Sequence, residues 1–107
     1  MTDKIVVLST CSAADDAKML ARRLIEQRLA ACVNVVRAVD SFYRWQGQVQ
    51  EDAEFLLVIK TSRGLFGKLR AEWEKLHTYE IPELIALPIV DGAPNYLNWM
   101  EGELETP

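Results

Sequence analysis

The hydrophobic pattern of the first 28 residues changes its period once. The run Lys4–Thr10 is rich in β-branched residues and is bounded by small polar residues, which predicts a strand buried on both faces. In the segment Ser12–Arg28 the apolar residues recur at i, i+3, i+4, i+7 and i+8, the spacing of a helix with one buried face. Ser12 is the predicted N-cap with Asp15 in the capping-box position, and Asp15 and Asp16 suit the positive end of the helix dipole.

The next two segments predict a long β-hairpin. Leu29–Trp45 has strand composition, and the turn "QGQ" places Gly47 where a positive φ is needed before the return strand Val49–Thr61. The apolar side chains of the first arm do not keep one alternation. One parity holds Val33, Val35, Val39, Tyr43 and Trp45, whereas Val36 and Phe42 fall on the other. This change of parity predicts a bulge or a bend within the strand.

The second half of the chain predicts a helix, a strand and a short terminal helix. The second helix is marked by apolar residues at helical spacing, with a core role for the tryptophan: Leu65, Phe66, Leu69, Trp73 and Leu76. Pro82 excludes a helix at its own position, and Glu83–Val90 reads as a fourth strand in which Pro88 indicates an edge or a bulge. In Ala93–Glu105 the inner face is assigned to Met100 with either Tyr96 or Leu97.

The predicted order is β-α-β-β-α-β followed by a short C-terminal helix, which is an α+β, ferredoxin-like split βαβ plan. With 107 residues, a single domain spanning 1–107 is expected. Hairpin arms of about fourteen residues would span about 45 Å at ~3.3 Å per residue, more than the ~35 Å diameter of such a domain. Because the overhanging end carries aromatic side chains, the pattern predicts a symmetric oligomer in which each hairpin packs on a neighbour.

Composition and charge exclude several classes of protein. The net charge is −4 and the chain has no cluster of lysine or arginine, which argues against a nucleic-acid surface. No apolar run is long enough to span a membrane, and the N-terminal residues lack the basic region of a signal peptide. Two cysteines are too few for a disulfide scaffold. A reduced, cytoplasmic protein is therefore expected.

Five segments in order resemble the CutA divalent-cation tolerance family: "LAACVN", "SFYRWQGQV", "FLLVIKT", "HTYEIPELIALPI" and "YLNW". The resemblance covers nearly the whole chain. It implies a ferredoxin-like fold, a tight homotrimer joined through the long hairpins, a cytosolic setting, and a role in copper tolerance or metal binding without catalysis. It implies no obligatory cofactor, with copper or another divalent cation as the ligand.

The resemblance also implies metal-site residues, with departures. Of the proposed copper set, His77 carries over directly, and Cys32 matches the cysteine of the "AAC" motif. The first-strand cysteine of the family aligns with Ser9, and Cys11 follows two residues later. Leu76 stands where some members have a second histidine, and Thr78 where proline is common.

The predicted topology tests the proposed ligands. Cys11 follows the first strand and His77 ends the second helix, so both are expected at one end of the sheet. Cys32 begins the second strand, at the opposite end. A Cys11–His77 pair within one chain is therefore compatible with the topology, whereas a triad that includes Cys32 would need ligands from several subunits. Two ligands are fewer than a zinc site uses. The alternatives are a buried thiol, a helix-terminal histidine and a small core cysteine.

Other polar residues predict a cleft rather than a catalytic site. The chain contains no Ser/His/Asp signature, P-loop or GxGxxG motif. Four polar or amphipathic residues fall at ends of predicted elements, where a trimer would form clefts: Trp45, Lys60, Tyr79 and Glu83. They are expected either to bind a small molecule or to hydrogen-bond across an interface, and Glu80 with Glu83 is a candidate carboxylate pair.

Two functional hypotheses follow from different classes. The first is a trimeric metal-binding protein without turnover. The second is a trimeric signalling or ligand-binding module that uses clefts between subunits. A small enzyme that uses Glu83 and Tyr79 ranks below both.

Overall fold

The computed structural model describes residues 2–106 and contains one four-stranded antiparallel sheet with three α-helices. The elements in chain order are β1 Lys4–Cys11, α1 Ala14–Glu26, β2 Cys32–Trp45, β3 Gln48–Ser62, α2 Phe66–Leu76, β4 Ile85–Pro88 and α3 Pro94–Glu103. The strand order is β2-β3-β1-β4. The predicted ferredoxin-like βαββαβ plan with a terminal helix is confirmed.

The core lies between the helices and one face of the sheet. Val7 of β1 pairs with Ile59 of β3, and both are fully buried under the helices. The helices contribute the other large buried side chains: Leu20, Leu24, Leu65, Leu69, Trp73 and Met100. The predicted core role of Trp73 is confirmed. Its indole nitrogen is the only fully buried side-chain N or O atom without a hydrogen-bond partner among the described residues.

The start of α1 corrects one prediction. The N-cap is Ala13, with extended backbone at φ −132° and ψ 145°, and no side chain caps the helix. Ser12 lies one residue too early to act as the cap, so the predicted capping box with Asp15 does not form. Asp15 and Asp16 do occupy the first turn, where the helix dipole favours negative charge.

The strand-like composition of Leu29–Trp45 begins before the strand itself, whose predicted start at Cys32 is confirmed. Leu29, Ala30 and Ala31 form a buried connection rather than strand, and β2 starts at Cys32. The Thr61 hydroxyl donates a 2.7 Å hydrogen bond to the Leu29 carbonyl, which fixes this connection against β3. Because it is buried and apolar, it has the same composition as the strand that follows.

The predicted bulge in β2 is confirmed. The register with β3 shifts between Val36 and Val39, and Ala38 adopts a positive φ of 61°. The extra residue changes the alternation, so Val36, Val39, Tyr43 and Trp45 share one face of the sheet whereas Val33 and Val35 lie on the other. The hairpin closes through Gln46 and Gly47, which both have positive φ, as a two-residue hairpin turn requires.

The hairpin extends beyond the rest of the domain. The β1–β3 ladder ends at the pair Cys11 and Phe55, so residues 48–54 of β3 pair with β2 alone. At about 3.3 Å per residue these seven positions extend about 23 Å past the core. The chain measures 44 × 25 × 22 Å along its principal axes. The predicted overhang is therefore present.

The last two elements settle two alternatives. β4 pairs only with β1, so it is an edge strand, and Pro88 is its last residue. It spans four residues, fewer than the predicted Glu83–Val90. In α3, Met100 is fully buried and Leu97 packs against the core, whereas Tyr96 is exposed. Leu97, not Tyr96, is therefore the second inner residue.

The second face of the sheet carries no helix. We call it the helix-free face; the register places on it Val6, Leu8, Thr10, Cys32, Asn34, Val36, Glu54, Leu56, Val58, Lys60, Ile85 and Leu87. Val36, Ile85 and Leu87 are exposed there. Within residues 2–106, none of the helices has the length and apolar character needed to cross a membrane.

Candidate functional site

His77 lies immediately after α2 and is bonded through both ring nitrogens. Its Nε2 lies 2.8 Å from the carbonyl oxygen of Thr10, and its Nδ1 accepts a hydrogen bond of 3.1 Å from the backbone N–H of Tyr79. The acceptor role of Nδ1 assigns the proton to Nε2, which donates to Thr10. The predicted placement of His77 beside the end of β1 is confirmed, but neither nitrogen is available to a metal in this arrangement.

Cys11 is almost completely buried at the same end of the sheet. Its thiol lies 3.6 Å from the carbonyl oxygen of Ala13. Burial raises the pKa of the Cys11 thiol. A backbone hydrogen bond of Ala13 opposes this increase, and the charges of Asp16 and Glu54 add to it. The thiolate that a soft metal requires is therefore disfavoured. In the described part of the chain, no three His, Cys, Asp or Glu side chains are grouped to hold a metal ion.

Cys32 lies apart from the other two candidate ligands. It pairs with Lys60 of β3, whereas Cys11 pairs with Phe55, so five positions separate them along that strand. This corresponds to about 16 Å at ~3.3 Å per residue. Cys32 is half-buried on the helix-free face, not in the core, and its thiol lies 3.9 Å from the side-chain oxygen of Asn34. The predicted separation of Cys32 from Cys11 and His77 is confirmed.

A cavity of about 600 Å³ lies between the hairpin and the segment after α2. Its lining residues are Thr10, Ser41, Phe42, Tyr43, Trp45, Glu54, Tyr79, Glu80, Ile81 and Glu83. Three of the four predicted cleft residues line it, namely Trp45, Tyr79 and Glu83. Lys60 does not, because it lies nearer the other end of the sheet, where its ammonium group bonds to Asn34 at 2.7 Å.

Glu54 joins the two walls of the cavity, and sequence reasoning did not single it out. The residue is 6% exposed, and its Oε2 accepts a 2.6 Å hydrogen bond from the Tyr79 hydroxyl. Burial, followed by the bond to Glu54, raises the pKa of Tyr79 well above its usual value. The only sequence signal was an acidic residue where β3 changes from polar to apolar.

The family model described as "CutA1 divalent ion tolerance protein" matches residues 5–103. The chain belongs to this family. It is 48% identical over 95 residues to the divalent-cation tolerance protein CutA of Thermus thermophilus, covering 89% of this chain and 92% of the relative. The solved structure from that organism aligns with a TM-score of 0.93 over 95% of this chain and 99% of that one, at 45% identity.

More distant CutA relatives differ in length and stated location. The chloroplastic CutA of Arabidopsis thaliana is 43% identical over 91% of this chain, but this chain spans only about half of it, 53%. The structure described as a periplasmic divalent cation tolerance protein from Archaeoglobus fulgidus aligns with a TM-score of 0.92 and 32% identity, over 95% of this chain and 99% of that one. The names of the Thermus and Archaeoglobus proteins describe tolerance of divalent cations, and none of the three names states a reaction.

In this CutA1 chain, Ser9 has a structural role at the position where the resemblance aligned a cysteine. Ser9 is fully buried, and its hydroxyl donates a 2.5 Å hydrogen bond to the carbonyl oxygen of Glu83. Together with the His77 contact to Thr10, this bond fixes both ends of the segment that forms one wall of the cavity.

Proposed function

We propose that the chain is a divalent-cation tolerance protein that assembles as a homotrimer, binds metal weakly and works without catalytic turnover. Membership of the CutA1 family supports the tolerance role. The observation that carries the assembly is the uncovered hairpin, whose outer half exposes apolar side chains on both of its faces. The trimer number comes from the resemblance to the CutA family, since the hairpin itself requires only a closed symmetric assembly.

The exposed surfaces of the chain support association. Phe42 is 66% exposed and Val49 is 69% exposed on one side of the hairpin, while Tyr43 and Trp45 are partly exposed on the other. Ile85 and Leu87 add exposed apolar area on the helix-free face. Burial of each such side chain is worth about 1.5–3 kcal/mol. A second and a third copy that cover these surfaces would therefore stabilise the fold.

Metal binding by this chain would be weak and would depend on thiols. Cys11 and His77 are close in the fold but are engaged in internal contacts, so a metal must displace at least one hydrogen bond of His77. Thiolate and imidazole suit copper and zinc. Cys32 is the more accessible thiol, and a site that contains it needs ligands from several copies. Copper or another divalent cation is the expected ligand, and no cofactor is required.

A cytoplasmic location is part of the proposal. Cys11 and Cys32 are both free and are too far apart to form a disulfide within the chain, which suits a reducing compartment. The alternative is a periplasmic location, which is how the Archaeoglobus relative is described. Cell fractionation with compartment markers tests this point: recovery of the protein with a periplasmic marker would refute it.

Three measurements test the function. Sedimentation equilibrium at low concentration should give three times the chain mass of about 12 kDa. Copper titration of the reduced protein should show weak binding that is diminished in Cys11→Ser, Cys32→Ser or His77→Ala. Expression in a copper-sensitive bacterial strain without its own CutA should restore growth on copper. A stable folded monomer would refute the assembly, and failure of both titration and rescue would refute the metal role.

A further inference from the structure

The cavity beside the hairpin has a one-sided electrostatic character. Three carboxylate residues line it, Glu54, Glu80 and Glu83, and none of its lining residues is lysine, arginine or histidine. Four hydroxyl side chains complete the polar part of the lining, from Thr10, Ser41, Tyr43 and Tyr79. Such a lining disfavours an anionic ligand and lowers the electrostatic energy of a cationic one.

Glu54 is the strongest single indication of a ligand. The residue is more than nine-tenths buried, yet among the described residues only its Oε2 has a partner, the Tyr79 hydroxyl. Its Oε1 makes no hydrogen bond within the described chain. Oε1 is not fully buried either. Within residues 2–106, the only fully buried side-chain N or O atom without a hydrogen-bond partner is the Trp73 indole nitrogen. Oε1 is therefore accessible to solvent, and Glu54 is one of the residues that line the cavity.

An acceptor in this position favours a positively charged partner. A carboxylate removed from water is costly unless it is paired or hydrogen-bonded, and one neutral hydroxyl leaves this pairing incomplete. A cationic donor in the cavity would complete it with a charge-assisted hydrogen bond, which is stronger than a neutral one. The remaining carboxylates, Glu80 and Glu83, are exposed at the rim and would attract the same charge.

The aromatic residues of the lining indicate which kind of cation the cavity would bind. Trp45, Tyr43 and Phe42 contribute to the cavity, and the face of a tryptophan or tyrosine ring attracts an ammonium group. The volume of about 600 Å³ falls in the range of small-molecule pockets and far exceeds the space around a bare metal ion. The carboxylates also do not form a cluster that could hold a metal within the described residues.

We propose that this cavity binds an organic ammonium ion. Its charged nitrogen bonds to Oε1 of Glu54, and its apolar body packs against Trp45 and Tyr43. The proposal rests on residues of one chain and does not depend on metal tolerance. The cavity lies on the helix-free face, since the register places Thr10, Glu54 and Trp45 there. The proposed trimer would cover this face, so the competing occupant is a cationic side chain of a second copy.

The test uses phenethylammonium as the probe and phenethyl alcohol as its uncharged counterpart. Isothermal titration of the full-length protein at pH 7 should show one phenethylammonium bound per chain, and at least tenfold weaker binding of the alcohol. Glu54→Gln keeps the shape of the side chain and its bond to Tyr79 but removes the charge. This variant should bind the ammonium at least tenfold more weakly, and Trp45→Leu should also weaken it.

Glu51→Gln is the matched control, because Glu51 lies on the same strand, is exposed and does not line the cavity. It should bind the probe like the wild-type protein. Equal affinities for ammonium and alcohol, or unchanged affinity in Glu54→Gln, would overturn the proposal. Absence of any binding to the folded protein would also overturn it and would favour the partner's side chain as occupant. The mass measurement is a separate readout, so failure of the trimer is distinguishable from failure of this site.

Discussion

The Tyr79 hydroxyl donates a 2.6 Å hydrogen bond to the buried carboxylate of Glu54, which joins the segment after α2 to the strand position where the hairpin leaves the core. The two residues are 25 positions apart in the chain. The contact closes one side of the acidic cavity and holds the outer hairpin against the domain. It therefore couples local stability to the geometry of the candidate site.

Tyr79→Phe should lower the free energy of unfolding by about 1–3 kcal/mol, because it leaves a buried carboxylate without its hydroxyl donor. Urea denaturation at fixed protein concentration measures this loss. Tyr96→Phe is the matched control, since Tyr96 is exposed on α3 and its ring packs beside Trp99 without needing the hydroxyl. Equal stability of the two variants would show that the Tyr79 bond contributes nothing.

The stability of the fold should fall as the pH rises above about 10. The pKa of Tyr79 is raised from its ordinary value of 10.0, first by burial and then by Glu54, so the folded state keeps a proton that the unfolded state releases. Stability from this group is fully present below pH 10 and is lost as the pH rises through the folded pKa. One such proton changes the free energy of unfolding by at most about 1.4 kcal/mol per pH unit.

Denaturation series between pH 8 and 11 on the wild-type protein and on Tyr79→Phe check the pH dependence. The variant should show a shallower decline. Cys11 and Tyr43 also have raised pKa values, owing mainly to burial and to the Asp52 hydrogen bond respectively, so a residual slope should remain. If the free energy of unfolding falls equally steeply with pH in both proteins, Tyr79 is not the source of the pH dependence.

Replacement of Tyr43 and Trp45 by alanine should weaken assembly and thermal stability together. Both side chains lie on the same face of the overhanging hairpin, and burial of each against a neighbouring copy is worth about 1.5–3 kcal/mol. Light scattering should show a smaller mass at low concentration, and the melting temperature should fall. Met19→Ala, which removes an exposed apolar side chain from α1, should change neither. An unchanged mass in the double variant would contradict the role of these residues.

Ala13→Ser should stabilise the protein by about 0.5–2 kcal/mol. The backbone of Ala13 already has the extended conformation of an N-cap, but its side chain offers no oxygen to the first turn of α1. Ala71→Ser is the control, because it places the same hydroxyl at an exposed position inside α2, where serine is slightly unfavourable. In thermal and urea unfolding, Ala13→Ser should be more stable than the wild-type protein and Ala71→Ser slightly less stable. Loss of stability in Ala13→Ser would refute the cap.

The hairpin and its bulge were predictable because their signals are local. The change of parity after Val36 and the glycine of the turn are read within a few residues, and the structure has both features. Arm lengths followed from the same pattern. Leu29–Ala31 has the composition of the strand that follows because it is buried for a tertiary reason, the contact with Thr61 of β3.

Glu54 shows why the candidate site was only partly predictable. It stands among polar residues of the outer hairpin, where nothing in the local pattern distinguishes a buried acid from an exposed one. Its partner Tyr79 is 25 positions away in the chain, and a sequence pattern cannot place the two side chains opposite each other. Trp45, Tyr79 and Glu83 were found because they lie at element ends, and Lys60 was misassigned because β3 carries it toward the far end of the sheet.

The bulge at Ala38 determines which side chains of the outer hairpin lie on each face of the sheet. One extra residue inverts the alternation, so Tyr43 and Trp45 continue the face that carries Val36. Deletion of that residue would turn every side chain of the outer β2 arm, both aromatic rings included, to the opposite side. Between the bulge and these rings, each arm can lengthen only by an even number of residues if the rings are to stay on the same face. The face on which any residue of the outer β2 arm lies is therefore fixed by whether it is an even or an odd number of residues from Ala38.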